Sequence, residues 1–242
     1  MNKINSSKPP PEKHKEKIRS MFNSIAHRYD FLNHFLSLGI DRLWRKKLVK
    51  LASGSKPKHI LDVATGTADL AIEFAKTKPK KITGIDISEN MLKIGQEKIN
   101  KLGLDQIIVL KQSDAEKLPF SDRSFDLVSV AFGVRNFENL DKGLMEIKRV
   151  LRPNGNIAVL EFTMPRYFPV KQLYKFYFHS LLPLIGRWVS KDSGAYSYLP
   201  ESVEAFPQGK AFIAELTKAG FADPQIYRLT FGIASIYLAR KL

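Results

Sequence analysis

The stretch that most constrains this chain is residues 59–70, HILDVATGTADL, where an apolar run is followed at once by small and turn-forming residues. The run Ile60–Val63 has the length of a buried strand, and Thr67 or Asp69 can cap a helix that starts at Leu70. The pattern therefore predicts a strand, a tight turn with a glycine, and a helix. Proteins of the α/β class use this unit to bind nucleotide-like ligands.

The same alternation of apolar strands and amphipathic helices continues through most of the chain. It predicts an α/β fold with three layers, in which a mostly parallel sheet is covered by helices on both faces. A close pair of strands after the last helix predicts an antiparallel hairpin at one edge of the sheet. The predicted strands are 59–63, 81–86, 107–112, 125–131, 156–162, 225–229 and 232–239, and the predicted helices are 70–76, 88–103, 140–151 and 208–219.

Three segments fall outside this alternation. Residues 1–12 include three consecutive prolines and few apolar groups, so we expect a disordered lead-in. Residues 13–58 predict two or three short helices that cap the central domain. Residues 163–206 combine aromatic, aliphatic and basic residues, which favours a helical lid inserted into a single domain spanning 13–242.

Charge is concentrated in two of these segments. Residues 1–60 contain 14 Lys and Arg against four Asp and Glu, and residues 166–191 contain five against none. Basic segments of this kind suit an anionic surface, either nucleic acid or the cytoplasmic leaflet of a membrane. The chain has no cysteine, which excludes disulfides and thiolate metal sites, and we expect no metal. A polar N-terminus and the lack of a roughly 20-residue apolar run predict a cytoplasmic protein.

The turn after the first strand indicates which nucleotide-like ligand the sheet binds. Around Gly66 the other glycines of a dinucleotide fingerprint are missing, which disfavours a pyrophosphate. Asp62, Asp86 and Asp114 end three successive strands and so face one crevice. Asp86 can accept the hydrogens of two ribose hydroxyls, Asp114 can bind a purine amino group, and the N–H of Ala115 a ring nitrogen. Three acids suit a cationic adenosine ligand, and S-adenosylmethionine is the obvious candidate.

These motifs also resemble a known family. LDVATGTAD at 61–69, GIDISENML at 84–92, DAEKLPF at 114–120 and FDLV at 125–128 look like class I S-adenosylmethionine-dependent methyltransferases. More narrowly, the chain resembles the UbiE/MenG respiratory-quinone C-methyltransferases over nearly its whole length from Ile18. The motifs that carry this narrower resemblance are YDFLN at 29–33 with Ser37 to Trp44, FGVRN at 132–136, and RVLRPNG at 149–155 with Leu160 to Phe162.

The resemblance implies a class I Rossmann-like fold, S-adenosylmethionine as cofactor, and C-methylation of a polyprenyl quinol ring. The family's cofactor contacts fall on Thr67, Asp86, Asp114 and Ala115. Its motif after the fourth strand places Arg135 and Asn136 at the crevice. Arginine stays charged, so we expect Arg135 to stabilise a developing phenolate while Asn136 positions it.

The general base is left open among His27, Tyr29, Asp30 and His179. Asp41 stands where many members have histidine, so no catalytic role is carried over to it. Residues 160–242 look more like the menaquinone branch, so demethylmenaquinol is the expected substrate and a ubiquinone-pathway benzoquinol is the alternative. Because the polyprenyl tail stays in the bilayer, we expect peripheral attachment to the inner face of the membrane. A homodimer is left open.

Three other functions compete with this interpretation. The basic segments could bind RNA or protein as a methyl acceptor, although no single-strand reading motif is present and no nucleic acid is expected. A nicotinamide-dependent oxidoreductase is disfavoured by the missing glycines. A non-catalytic scaffold of a quinone pathway would keep the fold alone.

Overall fold

A computed structural model describes residues 11–37, 39–176, 180 and 194–242 of the chain. Its centre is a seven-stranded sheet in the order β3-β2-β1-β4-β5-β7-β6. β1 to β5 are parallel, whereas β7 runs antiparallel to both β5 and β6. The strands are β1 His59–Val63, β2 Lys81–Asp86, β3 Ile108–Gln112, β4 Phe125–Ala131, β5 Leu151–Phe162, β6 Phe221–Leu229 and β7 Ala234–Lys241.

Helices lie on both faces of this sheet, and the apolar side chains that they bury form one cluster on each face. On one face α5 and α8 pack through Leu144 and Phe212, and on the other α2 and α3 pack through Leu48 and Phe74. The helices are α1 Pro11–Leu36, α2 Ile40–Ala52, α3 Asp69–Ala75, α4 Glu89–Lys101, α5 Leu140–Val150, α6 Val170–Phe176, α7 Gly194–Ala205 and α8 Lys210–Lys218. The predicted three-layer α/β architecture with an antiparallel hairpin at one edge is confirmed.

The N-terminal helices differ from the prediction of two or three short ones. A single helix of 26 residues, α1, covers Pro11–Leu36, and α2 follows after a turn. Apolar residues recur at helical spacing from Ile18 past Tyr29, and no glycine or proline lies between these two residues to end the helix. Of the expected lead-in, residues 1–10 lie outside the described part of the chain, and Pro11 already opens α1, a position where its missing N–H costs nothing.

β5 begins five residues earlier than predicted. The segment Arg152–Gly155, which separates the predicted helix 140–151 from the predicted strand 156–162, lies inside this strand and forms an irregularity where the pairing with β4 shifts. Asn154 takes a positive φ of 62°, which asparagine tolerates better than most residues. The lid expected over 163–206 contains α6 and α7, and the residues between them, except Ser180, lie outside the described part. Within the described residues no helix combines the length and apolarity needed to cross a bilayer.

Candidate functional site

A cleft runs along the edge of the sheet where the parallel strands end, and α1 forms its outer wall. Its floor consists of residues that directly follow β1, β2, β3 and β4, as expected for the ligand crevice of an open parallel sheet. The cleft has a volume of about 710 Å3, counting the space open to solvent. Of the predicted site residues, Gly66, Asp86, Asp114, Ala115 and Asn136 line it.

Asp86 and Gly66 are joined directly by a hydrogen bond. The N–H of Gly66 donates to Asp86 Oδ2 at 2.9 Å, and the N–H of Ser88 donates to Oδ1 at 2.8 Å. Gly66 has a φ of +56°, in the left-handed region that favours glycine. Burial raises the pKa of Asp86, while the two N–H donors act in the opposite direction. Each carboxylate oxygen keeps a second lone pair, so Asp86 can still accept hydrogens from a ligand.

Asp62 lies beneath the cleft and is not part of its lining. Its side chain is buried and accepts hydrogen bonds from the hydroxyls of Thr65 at 2.6 Å and Ser129 at 2.7 Å. Burial raises the pKa of this carboxyl to about 6. The structure therefore places Asp62 where it holds the turn after β1, and its direct contact with a cofactor stays a prediction.

Asp114 lies at the outer rim of the cleft, next to Ala115. The ammonium group of Lys15 on α1 lies 2.8 Å from Asp114 Oδ2 and 2.9 Å from Glu116 Oε2. Glu116 is buried, and its other oxygen accepts the N–H of Glu138 at 2.8 Å. Lys15 therefore ties α1 to the loop that was predicted to bind a purine ring.

Thr67 is buried and does not line the cleft. Its hydroxyl donates to Asp30 on α1 at 2.5 Å, and Lys98 on α4 donates to the same hydroxyl at 3.1 Å. Lys98 also lies 2.8 Å from Asp30 and 2.5 Å from Asp69, at the start of α3. These ion pairs connect the turn after β1 to three helices. The contact of Thr67 with a cofactor, implied by the resemblance, stays a prediction.

Arg135 differs most from its expected environment. Its guanidinium is buried and lies 2.7 Å from a carboxylate oxygen of Glu161, a fully buried residue of β5. The same group donates to the carbonyl of Phe132 at 2.5 Å and to the hydroxyl of Ser202 at 3.3 Å. Burial alone would lower the pKa of Arg135, but the charge of Glu161 raises it above the ordinary value. The arginine thus has an internal counter-ion and does not line the cleft.

Asn136 follows Arg135 and faces the cleft. Its side-chain oxygen accepts a hydrogen bond from the hydroxyl of Tyr198 on α7 at 2.9 Å. With the oxygen engaged in this way, the amide N–H groups are oriented as donors for another acceptor. Burial raises the pKa of Tyr198, so this residue stays a protonated donor at neutral pH.

The structure separates the candidates for a general base. Tyr29 lines the cleft, whereas His27 is exposed on α1 and Asp30 is engaged by Thr67 and Lys98. His179 lies outside the described residues. Asp41, to which no catalytic role was assigned, is buried and pairs with Arg45 one turn along α2.

Sequence reasoning missed three residues that organise this site: Lys15, Glu161 and Tyr198. Glu161 had a detectable signal, because it is an acid inside an otherwise apolar strand and such an acid needs a partner. Lys15 lies within a lysine-rich run and carries no such signal. The partner of Tyr198 is 62 residues away in the chain.

A family model described as the ubiE/COQ5 methyltransferase family matches residues 11–241. The chain belongs to this family. It is therefore a methyltransferase, and S-adenosylmethionine is its methyl donor, as predicted from the sequence. Among the described residues there is no cluster of histidine and acidic side chains that could hold a metal ion.

Individual relatives match over most of their length. The demethylmenaquinone methyltransferase of Bacteroides fragilis is 46% identical over 230 residues, which is 95% of this chain and 94% of that protein. The ubiquinone/menaquinone biosynthesis C-methyltransferase UbiE of Geotalea daltonii is also 46% identical, over 93% of this chain and 97% of its own. Among solved structures, a S-adenosylmethionine-dependent methyltransferase of Thermotoga maritima, a possible histamine N-methyltransferase, has a TM-score of 0.65 at 17% identity and covers 92% of this chain and 99% of its own. That likeness supports the fold alone.

Proposed function

We propose that this chain transfers the methyl group of S-adenosylmethionine to a ring carbon of demethylmenaquinol in menaquinone biosynthesis. The observation that supports this substrate best is the near-full-length likeness, at 43–46% identity, to demethylmenaquinone methyltransferases. The cleft is compatible with it, because Phe22, Tyr29, Phe132 and Phe137 provide aromatic walls for a bicyclic ring.

The residues at the ends of β1, β2 and β3 fit the methyl donor. Asp86 would accept the hydrogens of the ribose hydroxyls. The left-handed turn at Gly66 would let the backbone come close to the methyl donor. Asp114 would accept the amino group of the adenine ring beside the N–H of Ala115, and Asp62 would hold the turn from below through Thr65. S-adenosylmethionine supplies a methyl group that is electrophilic because it is attached to a sulfonium. The negative charge of these acids favours such a cation.

The other half of the cleft would handle the quinol. A ring carbon becomes nucleophilic when the adjacent phenol loses its proton and negative charge spreads into the ring. As this carbon took the methyl group, the bond from methyl to sulfur would break, leaving S-adenosylhomocysteine, and the ring carbon would then lose its own proton to restore the aromatic ring. Asn136, oriented by Tyr198, would donate to the phenolate oxygen and set the position of the ring. Arg135 would act on the phenolate only from behind this residue, and Glu161 offsets part of its positive charge. Among the described base candidates Tyr29 lines the cleft, and it would have to lose its own proton before it could accept that of the quinol.

The tail of a polyprenyl quinol stays in the bilayer, so the enzyme must meet its substrate at a membrane surface. We therefore place the chain on the cytoplasmic side, attached peripherally to the inner leaflet. The two basic segments support this placement, since that leaflet is anionic. We further propose that residues 13–242 act as one catalytic domain, with 13–58 as a cap and 163–206 as a lid, and that no nucleic acid is bound.

A methyl-transfer assay with short-chain demethylnaphthoquinol and benzoquinol analogues tests the substrate. We expect the naphthoquinol to be the better acceptor. Asn136→Ala should lower kcat by about 100-fold at unchanged affinity for S-adenosylmethionine, because it removes a donor to the developing charge. Asn100→Ala, an exposed change on α4, is the matched control. Preference for the benzoquinol would move the chain to the ubiquinone branch, and transfer to neither ring would overturn the proposal.

A further inference from the structure

Two neighbouring turns at the carboxyl edge of the sheet expose large aromatic side chains to solvent. Tyr167 and Phe168, which follow β5, are 78% and 81% exposed, and Phe231, between β6 and β7, is 81% exposed. α6 adds Leu173 and Phe176, both more than 60% exposed. Single exposed apolar residues are ordinary on protein surfaces, but a contiguous group of this size usually marks an interaction site.

Hydrogen bonds hold the two turns together. The N–H of Thr163 donates to the carbonyl of Ile233 at 2.9 Å, and the hydroxyl of Thr163 donates to the carbonyl of Gly232 at 2.8 Å. Tyr167 and Phe231 line one shallow depression between the turns. Tyr167 and Phe231 therefore belong to one surface, and Phe168 and α6 follow Tyr167 directly in the chain.

The turn that carries Phe231 adopts a backbone conformation that its residues disfavour. Thr230 and Phe231 have φ values of +44° and +56°, although β-branched and bulky residues rarely enter this region. Glycine or asparagine would adopt it with less strain. The hydroxyl of Thr230 accepts the indole N–H of Trp44 at 2.8 Å, which fixes the turn against α2. An exposed phenyl ring is thus kept at a position where a smaller residue would fit the backbone better.

Within the described part of the chain, no ion pair joins an acid to the cations around these rings. Arg166, Lys171 and Arg228 are exposed, and the segment from Thr163 to Phe176 contains no Asp or Glu. Exposed aromatic rings surrounded by cations are typical of proteins that lie in the interface of an anionic bilayer. A second copy of the same surface would instead bring like charges together, which is unfavourable.

This surface lies at the same edge of the sheet as the cofactor cleft. Phe162, the last residue of β5, packs on Phe132 with ring centroids 4.5 Å apart, and Phe132 lines the cleft. Trp44 contacts both rings and also Thr230. A membrane that contacts the exposed rings would therefore face the side of the molecule on which a quinol ring has to enter.

We propose that Tyr167, Phe168, Leu173, Phe176 and Phe231, with Arg166, Lys171 and Arg228, form an aromatic edge that docks on the anionic bilayer. The proposal deepens the function above, since it rests on a quinol held in a membrane. It includes the turn between β6 and β7, which lies outside both basic segments. The rings would enter the interfacial region, and the arginines would contact lipid phosphates.

Vesicle flotation tests the apolar part of the aromatic edge. We expect the full chain to bind vesicles of phosphatidylglycerol and phosphatidylcholine, and to bind pure phosphatidylcholine vesicles much more weakly. Phe231→Asn should weaken partition by about tenfold, because it removes the ring while suiting the positive φ. Met145→Ser, which removes an apolar side chain that is 64% exposed on α5, should leave partition unchanged. Equal effects of the two variants would overturn the proposal.

The charged part has its own test. Arg166→Gln and Arg228→Gln should each weaken partition into the anionic vesicles by about fivefold, and added salt should reduce the difference. Lys101→Gln, at an exposed position on α4, is the matched control for a lost positive charge. Partition that is insensitive to both arginines would overturn the assignment of an anionic bilayer.

Further measurements separate membrane docking from the proposed function and from a dimer interface. Methylation of a short-chain, water-soluble quinol should be unchanged in Phe231→Asn, because that substrate needs no membrane. If the wild-type chain binds vesicles but methylates no quinol, the proposed function fails while the docking surface stands. Sedimentation without lipid tests whether a second copy of the chain occupies the aromatic edge instead. A dimer that Phe231→Asn converts to monomers would assign the aromatic edge to that second copy and overturn membrane docking.

Discussion

Two carboxylates in the half of the cleft proposed for the cofactor (the ends of β1, β2 and β3) are held differently from one in the half proposed for the substrate (Arg135, Asn136 and their partners). On the cofactor half, Asp62 and Asp86 are held by neutral hydroxyl and N–H donors. On the substrate half, Glu161 is held by a buried arginine, Arg135. A carboxylate satisfied by neutral donors keeps its negative charge available to a cationic ligand, whereas one paired with an arginine does not. The same residue type can therefore remain open to a cationic ligand in one half of the cleft and hold a protein cation in the other.

The two halves also differ in which elements supply the partners of Asp86 and Arg135. The contacts of Asp86 are with Gly66 and Ser88, which come from the turns after β1 and β2. The contacts of Arg135 reach Glu161 on β5 and Ser202 on α7. The cofactor half is therefore built from neighbouring strand ends, and the substrate half depends on the packing of segments that the chain brings together later.

Breaking the ion pair of the substrate half should have the largest effect on stability. Arg135→Met leaves Glu161 buried without its cation and should lower the free energy of unfolding by about 3–5 kcal/mol, whereas replacing both residues by methionine should restore much of it. Urea unfolding followed by circular dichroism measures both. Arg152→Met, which breaks a half-exposed pair with Asp126, is the control and should cost about 1 kcal/mol or less. Equal losses at the two sites would contradict the difference in burial.

The pH dependence of the free energy of unfolding tests Asp62, a buried carboxyl of the cofactor half. Its pKa is raised by burial from 3.8 to about 6, so the folded state binds this proton more tightly than the unfolded state does. The contribution of this group to stability is therefore present below about pH 4 and is lost as the pH rises to about 6, by about 3 kcal/mol in total. The stability of wild type minus that of Asp62→Asn should fall over this range. A constant difference would show that the carboxyl is not desolvated.

Removing the charge of Asp86 should lower the affinity for S-adenosylmethionine without affecting the substrate half of the cleft. Asp86→Asn replaces an acceptor of two backbone N–H groups, and we expect an approximately 100-fold loss of affinity for S-adenosylmethionine, consistent with about 3 kcal/mol for bonds to a charged group. Isothermal titration calorimetry measures this loss. Asp105→Asn, at an exposed position after α4, is the control. Affinity close to that of the wild type would remove Asp86 from the cofactor site.

The smallest effect is expected at Lys15, where the cofactor half meets α1. Its ion pairs with Asp114 and Glu116 are partly exposed, so Lys15→Gln should change the free energy of unfolding by about 1 kcal/mol or less. If Lys15 competes with the adenine amino group for Asp114, the variant should bind S-adenosylmethionine up to about fivefold more tightly. Weaker binding would instead make Lys15 part of the cofactor site.

Much of the fold and of the cofactor half could be predicted from local pattern. The run Ile60–Val63, the turn at Gly66 and the acids after β2 and β3 are adjacent in sequence to the strands that position them. Because carboxyl ends of parallel strands share one edge, the order of the elements alone brings Asp86 and Asp114 to one cleft. The family resemblance then indicated the methyl donor, and the family comparison confirmed it.

The sequence by itself determined the strands and helices, the hairpin and the turn after β1, since each of these is specified by residues close together in the chain. Only the tertiary structure decided that Arg135 pairs with Glu161, that Tyr198 orients Asn136, and that Phe231 joins Tyr167 on one exposed edge. These contacts join residues tens of positions apart. Their energy depends on burial and on packing geometry, which no local pattern of residues encodes.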